Sequence, residues 1–154
     1  RGVPESLGGL GFTCFAVAMT IFRLTGDKLI ARTGALRAVV GGAIVAAIGF
    51  ALVIFMPLWQ LSLLGYVLVG AGCANIVPVM FSAVGRQTRM PQAVAVPAIT
   101  SLGYLGVLAG PAIIGYVAHA TSLTQAFMVI MLLMLVVAAL SVTVTANQPA
   151  RSEG

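Results

Sequence analysis

The apolar positions of this chain fall in five long blocks separated by short polar or proline-marked breaks. The blocks run Leu7–Thr25, Ala38–Met56, Leu61–Val84, Ala93–Ala118 and Thr124–Thr145. Each has about the length an α-helix needs to cross the hydrocarbon core of a bilayer, ~17–25 residues. Lipid offers the backbone no hydrogen-bond partner, so a spanning segment is a helix or part of a closed barrel. Barrel strands are ~10-residue segments of alternating polarity, whereas Met128–Leu140 is apolar at every position. The pattern therefore predicts an all-α fold, a polytopic membrane protein whose five transmembrane helices form a single bundle over residues 1–154.

Composition removes the competing classes. Of the 154 residues, 60% are hydrophobic and 7% charged, with a mean hydropathy of +1.12. A soluble domain carries roughly 25% charged residues. The net charge of +5 comes from few basic residues set between apolar runs, which argues against nucleic acid as a partner. Cys14 and Cys73 lie inside apolar blocks and read as small hydrophobes. No signal-peptide pattern is visible, and the initial Arg1 suggests either an engineered start or a truncated reading frame.

Charge placement gives a topology. The first connection holds Arg23, Lys28, Arg32 and Arg37, and the third holds Arg86 and Arg89. The second, at Pro57, holds none; the fourth holds His119, and the tail holds Arg151. Cytoplasmic loops are the ones enriched in Lys and Arg. The N-terminus is therefore expected outside and the C-terminus in the cytoplasm, with Arg1 the exception.

Polar residues are distributed unevenly among the spans. The second span has no polar side chain, and the fifth has them only near its ends, so both suit a lipid-facing position. On the first span, Gly9, Thr13, Ala16, Thr20, Arg23 and Asp27 recur at three- and four-residue steps and share one face. Gly65, Leu68, Gly72, Asn75, Val79 and Ser82 do so on the third, and Pro97, Thr100, Tyr104, Leu108, Pro111 and Gly115 on the fourth. Polar groups at membrane depth usually face the bundle interior or a water-filled cavity. Thr13, Thr20, Asn75, Ser82, Thr100 and Tyr104 are thus candidates for a solute pathway. The competing reading is that small and hydroxylated residues let helices pack closely. Pro78, Pro97 and Pro111 each remove a backbone donor, so kinks are expected there. Gly103, Gly106 and Gly110 thin the fourth span before Pro111.

The first connection carries the most specific pattern. Arg23 and Asp27 stand four apart and can pair on one helical face. Gly34 suits a tight turn between antiparallel spans. An acid at the membrane edge has no topological role, so Arg23, Asp27, Arg32 and Gly34 are read as a cytoplasmic latch.

The segment from Arg23 through Asp27, Lys28, Arg32 and Gly34 to Arg37 resembles the loop between helices eight and nine of the major facilitator superfamily. Gly70-Ala-Gly72-Cys-Ala-Asn75-Ile-Val-Pro78 is similar to its tenth helix, and Gly103-Tyr-Leu-Gly106 through Gly110-Pro111 to Gly115 to its eleventh. The loop departs from the family pattern at Ala31, where an acid is usual; Asp27 lies one turn earlier. The resemblance covers about residues 7–145 and implies helices eight to twelve of twelve, with Pro78, Gly110 and Pro111 at kinks or gates.

That resemblance implies a fragment of a secondary transporter moving a small solute by alternating access, in a bacterial inner membrane. The implied partners are an unknown small-molecule substrate, membrane lipid and the missing N-terminal half of the same transporter. Asn75, Thr100 and Tyr104 would suit a polar solute; Phe12, Phe15 and Phe22 would suit an apolar drug. The alternative is a small multi-span scaffold or assembly protein without transport activity. No nucleophile constellation, metal-ligand cluster or phosphate loop occurs, so neither enzymatic chemistry nor a cofactor is expected.

Overall fold

The computed structural model describes residues 9–86 and 88–146. The Leu7 start of the first predicted span, Arg1 and Arg151 lie outside the described residues. Six helices follow in order: α1 Leu10–Thr33, α2 Ala35–Phe55, α3 Trp59–Cys73, α4 Ile76–Arg86, α5 Gln92–Ala120 and α6 Leu123–Ala146. No strand occurs among the described residues.

Local sequence explains most of the boundaries. α1 runs eight residues beyond its predicted end, so Asp27, Lys28 and Arg32 ride on helix and the connection shrinks to Gly34. Gly34 has φ 87° and ψ 148°, a region essentially reserved for glycine. α2 stops at Phe55 because Met56 precedes Pro57 and takes the extended conformation such residues prefer, φ −83° and ψ 127°. α6 opens behind Ser122, whose Oγ accepts from the Gln125 backbone N–H at 3.2 Å, as an N-cap does.

The third predicted span is the one that splits. Pro78 lacks the N–H that would bond the Ala74 carbonyl, and helix is lost at Ala74–Asn75, between α3 and α4. Pro97 and Pro111, where kinks were also expected, do not interrupt α5. Four segments are long and apolar enough to cross a membrane: Ala35–Phe55, Trp59–Arg86 (α3 and α4 together), Gln92–Ala120 and Leu123–Thr143. α1, which carries Arg23, Asp27, Lys28 and Arg32, is not among them, yet its apolar stretch packs into the same bundle.

Packing is backbone against backbone. Gly49 faces Gly65 and Gly42 faces Gly72, so α2 and α3 run antiparallel; a Cβ on Gly65 would lie 2.6 Å from the Gly49 carbonyl oxygen. Gly11 lies against the Tyr66 ring, and Gly70 against the Phe15 carbonyl, so α1 runs parallel to α3. The core is correspondingly small-sided: Ala18, Ala43, Ala46, Ala47, Ala74, Ala126 and Ala138 are buried. Lipid is as apolar as leucine, so close approach of small residues rather than burial of large ones holds membrane helices together. Leucine, valine and isoleucine side chains are left facing outward, Leu132, Leu133, Val136 and Leu140 on α6 among them.

α2 was expected to be a lipid-facing helix. It presents Ile44, Ile48 and Phe55 outward, but buries Val39, Ala43, Ala46, Ala47, Gly49, Val53 and Ile54 against α3 and α6. α5 is the reverse: Ala95 is its one buried residue, and Ser101 through Leu108 are exposed on every side. Among the described residues it leans mainly on α4 and α6.

Candidate functional site

The helix directions bring the basic residues together. α1 ends, α2 begins and α4 ends at the same end of the bundle, which therefore carries Lys28, Arg32, Arg37, Arg86 and Arg89, all exposed. His119 and the α5–α6 turn lie at the other end, with the Pro57 connection.

That other end holds a cavity of about 670 Å³ between α1, α2, α3 and α6. Phe12, Phe15, Trp59, Tyr66, Phe50 and Phe127 dominate its wall, and the last two pack with ring centroids 5.8 Å apart. Ser62 and Thr124 are its hydroxyl-bearing aliphatic residues, and it has no charged side chain. Of the six pathway candidates none lines it, so sequence reasoning passed over this concavity. The signal available was the clustering of aromatic residues toward the ends of four predicted spans.

The pathway candidates lie elsewhere and apart. Thr13 and Thr20 are exposed on α1, and their hydroxyls donate to Gly9 and Ala16 carbonyls of their own helix at 2.9 and 2.8 Å. Thr100 is half-buried and donates to the Val96 carbonyl at 2.8 Å. Tyr104 is 67% exposed on the bare stretch of α5. Ser82 is exposed on α4, and its carbonyl accepts from Arg86 Nε at 3.3 Å. Among the described residues α1 packs chiefly on α3 and α5 on α4 and α6, so Thr13 and Thr20 sit on a different part of the bundle from Thr100 and Tyr104. Gly110 is half-buried and Pro111 exposed, both mid-helix in α5.

Asn75 is the candidate with long-range partners. It is buried, and its Nδ2 donates to the Phe22 carbonyl of α1 at 3.3 Å. In return Arg23 Nε donates to the Ala74 carbonyl at 3.4 Å. That carbonyl is the one Pro78 leaves without its helical donor. Asn75 Oδ1 rests on Gly26, where any Cβ would strike it. The arrangement joins α1 to the α3–α4 break through two hydrogen bonds of opposite direction. Interhelical bonds in membranes average ~0.6 kcal/mol, with ~1.7 kcal/mol at the upper end.

The predicted latch residues are rearranged by this. Arg23 turns to Ala74, and no ion pair joins it to Asp27 among the described residues. Asp27 is exposed one residue beyond Gly26, Arg32 is exposed in the last turn of α1, and Gly34 makes the turn. The Arg23–Ala74 contact spans 51 positions. A four-residue spacing rule points only along the helix and could not have found it.

Comparison with known proteins adds an independent line. The sequence matches the profile of the Major Facilitator Superfamily over residues 1–154. It is 43% identical over 145 residues to an uncharacterized MFS-type transporter of Yersinia pestis, covering 94% of this chain and 38% of that protein. Membrane protein MosC of Rhizobium meliloti is 32% identical over 140 residues, 91% of this chain and 34% of MosC. An uncharacterized transporter, y4wD, of Sinorhizobium fredii is 29% identical over 140 residues, 91% of this chain and 37% of its own. The chain thus spans a little over a third of the length of these relatives. No solved structure matches.

Proposed function

The chain belongs to the major facilitator superfamily, and from that premise we propose that it supplies most of the C-terminal half-bundle of a twelve-helix secondary transporter. In this reading the protein moves a small solute by alternating access across a bacterial inner membrane. The basic end of the bundle faces the cytoplasm, by the excess of Lys and Arg in cytoplasmic loops. The substrate site lies where the polar faces of α1, α4 and α5 meet the other half, near the midplane, as in rocking carriers generally.

One observation carries this reading above the scaffold alternative. Ser101 through Leu108 of α5, with Tyr104 among them, are exposed all round the helix. A helix with lipid on one side leaves a second side to be covered by protein, and the described residues do not cover it. The matched region is 38% of the Yersinia pestis relative, which leaves ample chain to do so. Transport of this kind needs binding and a change of state, with no covalent step.

Asp27 supplies the test. It stands exposed at the basic end beside the Asn75 contact, placed to meet a cation or helix terminus of the other half when that end closes. A bias of ~1.4 kcal/mol between two states shifts their ratio tenfold. Asp27→Asn in the full-length protein is expected to raise labelling of a single cysteine at Tyr104 from the cytoplasmic side, and to slow uptake of solutes found by thermal-shift screening. Equal labelling and equal uptake in variant and parent would leave Asp27 without a role as latch.

A further inference from the structure

We infer that Arg23, Gly26 and Asn75 form a clasp by which α1 sets how α4 leaves α3, making Ala74–Asn75 a built joint. The inference stands whether or not the transport reading holds.

The argument begins with Pro78. In an uninterrupted helix the N–H of residue 78 would bond the Ala74 carbonyl; proline has none, and its ring crowds that carbonyl. A polar group orphaned inside a membrane must find another partner. Arg23 Nε provides one at 3.4 Å. The carboxamide of Asn75, the next residue, reaches back across the same gap to the Phe22 carbonyl at 3.3 Å. A carbonyl has two acceptor sites, so Phe22 keeps its own helical bond while accepting this one. Gly26 completes the clasp by leaving room for Asn75 Oδ1 one turn further along α1.

The two bonds join neighbouring residues on each helix and point opposite ways. Two such bonds hold the register of α1 on α3 more closely than either would alone. The clasp also marks a change in packing. Before it, α3 is pressed backbone to backbone on Gly42 and Gly49 of α2 and on Phe15 of α1. After it, α4 buries Val79 alone. A firmly seated helix thus hands over to a lightly held one at the point where α1 grips. Asn75 and Arg23 are positioning residues here: Asn75 spends its amide on α1, and Arg23 spends its Nε on the joint.

The test uses the full-length protein with Cys14 and Cys73 replaced and nitroxide labels on pairs of introduced cysteines. Leu64→Cys with Phe81→Cys spans the joint, and Leu64→Cys with Ile44→Cys stays within the glycine-packed body; all three positions are exposed. Pulsed electron resonance gives the distance distribution of each pair. Arg23→Met keeps the apolar stem and removes the donor; Asn75→Ala removes the return bond. Each is expected to shift or broaden the Leu64–Phe81 distribution and to leave the Leu64–Ile44 distribution unchanged. Arg23→Lys, which retains a donor, is expected to stay closer to the parent than Arg23→Met. The decisive background is Pro78→Ala, which gives the Ala74 carbonyl its own helical donor. There Arg23→Met is expected to lose its effect. An unmoved Leu64–Phe81 distribution in both single variants overturns the clasp. So does equal broadening of both pairs, which is general loosening, and so does an Arg23→Met effect undiminished by Pro78→Ala.

Discussion

α2 and α5 are both apolar enough to cross a membrane and lead opposite structural lives. In their most apolar stretches, 39% of residues are buried in α2 and 6% in α5. α2 has no polar side chain between Ala38 and Met56, while α5 carries Thr100, Ser101, Tyr104, two prolines and a run of glycines. By the logic of water-soluble proteins α2 would be buried because it is apolar. Here apolarity is no distinction, because lipid is apolar too. α2 is buried because Gly42 and Gly49 meet Gly72 and Gly65 at carbonyl distance. The glycines of α5 have open space around them: a Cβ at Gly103, Gly106 or Gly110 would meet nothing within 4 Å. The same residue type is a contact in one helix and an unused surface in the other.

The sharpest way to break this comparison is to add bulk to both helices of the full-length protein. Gly49→Leu drives a side chain into the Gly65 carbonyl and Val69 backbone. Overpacking in a tight core costs ~1–3 kcal/mol and sometimes more, and two backbones cannot yield as a flexible side chain would. A marked fall in melting temperature and in monodisperse yield is expected. Parent-like melting would show that the glycine contact contributes nothing.

A smaller effect is expected from Gly106→Leu. Open space surrounds the position in this chain, so only the half that covers α5 can meet the new side chain, and no backbone of this chain stands in its way. Melting should fall by less than in Gly49→Leu. A loss matching Gly49→Leu would mean that another part of the protein packs on α5 as tightly as α3 packs on α2.

Thr20→Val should do least. The Thr20 hydroxyl is already bonded to the Ala16 carbonyl, and its side chain is exposed. Valine keeps the shape and releases a carbonyl that still has its helical donor. No measurable change in melting is expected; a drop of several degrees would place a partner for that hydroxyl outside α1.

Much of the helix framework was legible along the chain. The lengths of the apolar blocks, Gly34 at the turn, the connection at Pro57 and a kink at Pro78 are all local effects, although Pro97 and Pro111, read the same way, leave α5 uninterrupted. Each acts through the backbone of a few consecutive residues, so neighbours in sequence suffice to read it. The candidate site was less legible. Thr13, Thr20 and Thr100 satisfy their hydroxyls within their own helices, which the pattern of polar positions cannot distinguish from a lined pathway. The extension of α1 to Thr33 was also missed, because charged residues at a membrane edge look like loop although they are good helix formers.

What the sequence determined by itself is therefore the set of apolar blocks, the turn at Gly34, and a disturbance of the third span at Pro78. What only the tertiary structure decided is which helix covers which, and who serves the broken backbone. Arg23 had a local partner on offer in Asp27, four residues away, and took the Ala74 carbonyl instead. The physical reason is the unequal cost of leaving the two groups alone. An exposed acid at the membrane edge is solvated by water and gains little from an ion pair. A carbonyl orphaned by proline among packed helices has no water to turn to. That difference exists only once α1 and α3 lie side by side.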